Sequence, residues 1–80
     1  MSNQHKLVQA FVTALAIPPA AVVDTLSYDS IPQWDSVAHM ALVTELESVF
    51  DVMLDTDEIL AMSSVAISRD ILAKHGIEFL

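Results

Sequence analysis

The chain contains no cysteine. That excludes a disulfide framework, a thiolate metal site and a thiol nucleophile, and it leaves packing as the source of stability. Glycine occurs once and proline three times in 80 residues, far from the polar, Gly- and Pro-rich profile of a disordered segment. Three Lys and Arg stand against eleven Asp and Glu, a formal charge of -8. Such a surface repels nucleic acid and anionic membranes and suits partners with basic patches. No apolar run reaches the roughly 18 residues of a membrane span. The stretch from Leu7 to Ile17 is broken by Gln9 and Thr13 and has no cleavage region of a signal peptide. A cytoplasmic, monomeric protein without membrane insertion is expected.

What is present is a 54% apolar composition, enough for one core, so residues 1–80 are read as a single domain. At this length the core supplies roughly 3–5 kcal/mol of net stability. A buried catalytic cleft is hard to accommodate, and no enzyme is expected.

Helical spacing dominates the chain. Leu7, Val8, Phe11 and Leu15 form one stripe over residues 4–16, with Ser2 or Asn3 placed to cap it and Pro18-Pro19 to end it. A long connection follows, with a single turn expected at residues 20–23 and Leu26, Tyr28 and Ile31 as apolar pins that keep it ordered. Residues 35–50 carry the strongest helical signal, with Asp35 as cap. At about 100° per residue, Ala38, His39, Leu42, Val43, Leu46, Val49 and Phe50 share a core arc. Ser36, Val37, Met40, Ala41, Thr44, Glu45, Glu47 and Ser48 share the opposite one. Asp55 and Glu58 have the spacing of a capping box for a short helix containing Ile59, Leu60 and Met62. Ser63 or Ser64 caps a last helix through Val65, Ile67, Ile71 and Leu72. Gly76 stands where a left-handed terminator is wanted, Ile77 is placed to touch Leu72, and Lys74 and His75 suit the last turn. No alternating run supports a strand.

The run from Trp34 to Met40 departs from generic bundle sequence. Ser36 falls in the first turn of a helix, away from the core arc and after a long loop, where a modifying enzyme can reach it. A phosphodiester there meets unpaired N–H groups and the positive end of the helix dipole. Val37 and Met40, apolar on a solvent face, lie beside it with Glu45 and Glu47. Such a strip reads as a docking surface, with charge for steering and apolar groups for contact.

These residues resemble the Asp-Ser-Leu signature of the acyl carrier protein family, including its polyketide and peptidyl relatives. The resemblance extends over nearly the whole chain: the long first loop, Leu46 and Glu47 followed by Phe50, the short helix after Asp55, and the final helix. It implies an all-α, acyl-carrier-like four-helix bundle of three main helices plus one short helix. It further implies that a phosphopantetheinyl transferase moves a 4'-phosphopantetheine arm from coenzyme A onto Ser36, which then carries acyl groups as thioesters. Asp35 would assist by helping to bind the transferase's magnesium. The implied partners are acyl-loading, condensing or acyl-transfer enzymes of fatty acid, polyketide or surface-acylation pathways. An aminoacyl or peptidyl carrier of a nonribosomal pathway fits the same motif, because loading enzymes select the cargo. A cofactor-free acidic helical adaptor is the alternative of a different class. The chain departs from the family pattern at Gln33, where Gly is common, at Val37, where Leu is usual, and at Asp51-Val52, where Gly-Ile is frequent. These departures bear on the choice of transferase and partner. The other Asp-Ser pair, Asp29-Ser30, precedes Ile31-Pro32 and opens no helix.

Other readings are weaker. Ser36 and His39 lack the orienting group and oxyanion site of a hydrolase, and His39 is read as a partly buried histidine bonded to loop backbone. The acids Asp51, Asp55, Asp57 and Glu58 lack the Gly and Glu positions of a calcium loop. His5, His39 and His75 have no metal-site spacing. Trp34 is read as an apolar lid over the start of the second helix.

Overall fold

The computed structural model describes residues 2–79. They form four α-helices: α1 (Asn3–Leu15), α2 (Ser36–Phe50), α3 (Thr56–Ala61) and α4 (Val65–Lys74), with a short 3-10 turn at Pro19–Ala21. Among the described residues there is no strand, only an isolated antiparallel bridge between Ser27 and Ser64. The all-α small-bundle expectation is met. None of these helices is long and apolar enough to cross a membrane.

Ser2 caps α1 by accepting from the His5 backbone N–H at 3.1 Å. Leu7, Ala10, Phe11 and Leu15 are buried; Val8, expected on the same stripe, is half-buried. The helix stops one residue before the expected end. Ala16 adopts the left-handed conformation (φ 54°) and its N–H bonds back to the Val12 carbonyl, so termination precedes the prolines. Pro19 instead opens the 3-10 turn, one residue earlier than the expected turn, because a fixed φ suits a first helical position.

The long connection is ordered by backbone pairing as well as by apolar pins. Leu26 is buried and Ile31 half-buried, whereas Tyr28 remains 41% exposed. The Tyr28 N–H donates to the Ser63 carbonyl (2.8 Å), and the N–H groups of Val65 and Ala66 donate to Leu26 and Asp24. The loop thus satisfies the free N–H groups at the start of α4. Arg69 of α4 adds a second tie, donating from Nη2 to Asp24 (2.6 Å) and from Nε to Gln4 of α1 (3.1 Å).

The hydrogen bond and then the charge of Arg69 hold the Asp24 carboxyl below its ordinary range. A depressed folded-state pKa contributes stability above the unfolded pKa and loses it as pH falls through the folded value. In pH-dependent thermal melts, wild type is therefore expected to exceed Asp24→Asn near neutral pH. The two should converge as pH drops below the ordinary aspartate range, and salt should shrink the gap because Asp24 is exposed. A gap unchanged by pH would mean that the ion pair contributes nothing.

Asp35 caps α2, its side chain accepting from the Ala38 N–H at 2.9 Å. Leu42, Val43, Leu46 and Phe50 are buried, and Ala38, His39 and Val49 are half-buried, as the core arc requires. Asp51 ends the helix in the left-handed conformation (φ 53°). Aspartate is among the few non-glycine residues that tolerate it. Asp55 and Glu58 form the expected capping box on α3. Ser64, not Ser63, caps α4. Gly76 (φ 87°) closes α4 with paired bonds, Gly76 N–H to Ala73 and Ile77 N–H to Leu72, the pattern of a glycine-terminated helix. Ile67, expected inside, is 38% exposed. Ser68 is buried in α4, its hydroxyl donating to the Ser64 carbonyl at 2.8 Å.

Trp34 corrects the largest misplacement. It is fully buried with Phe11, Leu7, Leu42, Leu46, Met62 and Leu72, and Phe11 meets its ring edge-on at 5.3 Å between centroids. The residue is the middle of the core, not a lid, because the loop carries it inward between α1 and α2. Its polar Nε1 finds a partner there, as a buried indole must.

Candidate functional site

Ser36 is the first residue of α2 and is exposed. Asp35 immediately before it turns one carboxylate oxygen onto the Ala38 N–H, closing the helix entrance. The hydroxyl therefore stands at a capped, fixed helix start with solvent on its outer side. Val37 (79% exposed) and Met40 (54%) project from the same arc. The sequence pattern placed Ser36, Val37 and Met40 on the solvent side of α2, where all three are exposed.

A groove of about 370 Å³ opens directly beside Ser36. Ser36, His39 and Met40 of α2 form one wall, Ile59, Leu60 and Met62 the other, and Tyr28 and Ser63 the end. Its size lies at the low end of small-molecule sites, and its lining is mainly apolar. Ser36 is thus both reachable from solvent and at the rim of an apolar recess.

Glu45 and Glu47 do not line this groove. They sit about 14 and 16 Å further along the helix axis, and both are half-buried. Glu47 already accepts the Leu54 N–H on Oε2 at 2.9 Å, fixing the link between α2 and α3.

His39 is half-buried as expected, but its partners differ from the loop backbone anticipated. Trp34 Nε1 donates to His39 Nδ1 at 2.9 Å, and Nε2 lies 2.9 Å from the Ile59 carbonyl inside α3. The Tyr28 ring meets the imidazole edge-on at 5.4 Å, and the Trp34 ring lies nearly parallel to it, 6.1 Å between centroids, beside the hydrogen bond that joins them. Sequence reading also missed the groove's far wall. Leu60 is 77% exposed while Met62 is buried, and only the placement of α3 against α2 turns these residues toward Ser36. Met53, between the inward Val52 and Leu54, is 83% exposed, as alternation across a short extended link requires.

Among the described residues no group of three or more His, Asp or Glu side chains is placed to hold a metal ion. No buried side-chain nitrogen or oxygen among them lacks a hydrogen-bond partner. The site offers one accessible hydroxyl, one adjacent carboxylate and an apolar recess, and both ring nitrogens of His39 are engaged by Trp34 and Ile59. Comparison with known protein families, with curated proteins and with solved structures gives no match.

Proposed function

We propose that the chain is an acyl carrier protein whose 4'-phosphopantetheine arm is attached to Ser36 by a phosphopantetheinyl transferase. The observation that carries this reading is the placement of Ser36: exposed, first in α2, capped by Asp35 and at the rim of an apolar groove. The residues present fit such an arm. The hydroxyl is free to accept a phosphoryl group, the helix start favours the resulting negative charge, and the recess can receive apolar parts of what the arm holds. The arm supplies a thiol for thioester chemistry, and turnover belongs to partner enzymes. Val37 and Met40 supply apolar contact, while the overall acidic surface, including Glu45 and Glu47, steers partners with basic patches.

The test is modification itself. Wild-type protein incubated with coenzyme A, magnesium and a broad-specificity phosphopantetheinyl transferase should gain the mass of one phosphopantetheine, located by peptide fragmentation at Ser36. No mass gain under conditions that fully modify a control carrier would leave the cofactor-free adaptor as the reading. Loading with acyl or aminoacyl groups by candidate partner enzymes then separates the acyl carrier from the aminoacyl or peptidyl carrier.

A further inference from the structure

The tryptophan indole is a donor only, so His39 Nδ1, 2.9 Å from it, must be the acceptor. In the neutral ring the remaining proton is then on Nε2, aimed at the Ile59 carbonyl at 2.9 Å. The donor on Trp34 therefore selects the tautomer that can bond to α3. Trp34 directly precedes the Asp35 cap and Ser36, and Ile59 lies in the last turn of α3, where its carbonyl also accepts a long 3.4 Å bond from the Met62 N–H. A single imidazole joins the entrance of α2 to the end of α3.

The core holds α3 mainly through half-buried Ile59 and through buried Leu54 and Met62, which flank the helix on either side. The helix itself has six residues and none of them is fully buried. The Glu58 carboxylate reaches His75 at 2.9 Å on its other side, and the Glu47 bond to Leu54 fixes only the segment before it. Yet α3 carries Ile59 and Leu60, two of the three residues of the groove wall that faces Ser36. A displacement of α3 away from α2 changes that groove and lengthens the His39 bond to Ile59.

We propose that His39 is a positioning residue that latches α3 to the turn bearing Ser36, so that the groove widens only when its bond to Ile59 opens. The purpose of the groove rests on the carrier reading, but the latch does not and is tested on the unmodified protein. Native-state hydrogen exchange of the Ile59 and Met62 amides is compared with that of α1 amides in wild type, His39→Leu and His39→Gln. Leucine removes both polar partners; glutamine supplies one acceptor and one donor.

In His39→Leu the α3 amides should lose protection by about tenfold more than those of α1, the equilibrium weight of one hydrogen bond. His39→Gln should recover part of that difference. Trp34→Phe keeps an aromatic ring but no longer selects the tautomer; beyond a common loss from the smaller core side chain, it should loosen α3 more than α1. It also serves if His39→Leu does not fold. Equal loss in α1 and α3, no loss in α3, or no recovery by glutamine would each overturn the latch and leave His39 as general core packing. Since the mass-gain experiment on wild type decides the carrier reading separately, the two failures are distinguishable.

Discussion

Ser36→Ala is expected to gain no phosphopantetheine under conditions that modify wild type to completion, while folding with the same stability. Ser36 is an exposed first-turn residue, and such substitutions change stability by no more than about 0.5 kcal/mol. Loss of modification would therefore report loss of the acceptor oxygen and nothing else. Mass gain on the alanine variant would move the site elsewhere. Substitutions at Asp35 separate two roles held by one side chain. Asp35→Asn keeps an oxygen for the Ala38 N–H and so keeps the cap, whereas Asp35→Ala loses it at about 1 kcal/mol. If the carboxylate also helps to hold the transferase's magnesium, both variants should be modified about 10- to 100-fold more slowly, a range typical of groups that support a metal site. An asparagine variant modified at the wild-type rate would confine Asp35 to capping.

Trp34→Ala is expected to abolish cooperative unfolding at 25 °C. Truncating a fully buried aromatic costs about 3–5 kcal/mol, and a chain of this length holds only roughly that much in total. The loss is also local to the site. Phe11 loses its edge contact, Tyr28 and His39 lose the ring they pack against, and His39 Nδ1 loses its donor. Circular dichroism during urea titration reads the result directly. A retained sigmoidal transition with a midpoint close to wild type would show that the loop, and not Trp34, anchors the entrance of α2. In that case the arrangement around Ser36 would rest on the Asp35 cap and the α1 contacts.

Much of this molecule was legible from spacing. The caps Ser2, Asp35 and Asp55, the left-handed Gly76 and the core positions of α2 follow from local rules: a side chain within three residues of a free N–H, or an apolar residue every three or four. Errors arose where a residue's environment comes from chain far away. Trp34 sits in a loop whose local sequence says nothing about direction, and it is buried because α1 and α2 leave a space that an indole fills. Ile67 is spaced with Ile71 but lies to the side of the stripe that packing buries, Val65, Ser68, Ile71 and Leu72.

The sequence alone determined that the chain is helical, where its helices begin, and that Ser36 lies on the solvent side of the second one. Those properties depend on neighbours a few residues apart, which periodicity and capping encode. Only the tertiary structure decided that an apolar groove opens beside Ser36 and that His39 spans from Trp34 to Ile59. These contacts join residues whose separation is set by how a six-residue helix, with none of its side chains buried, is carried across α2. No local pattern specifies that geometry, because it results from packing the whole core at once.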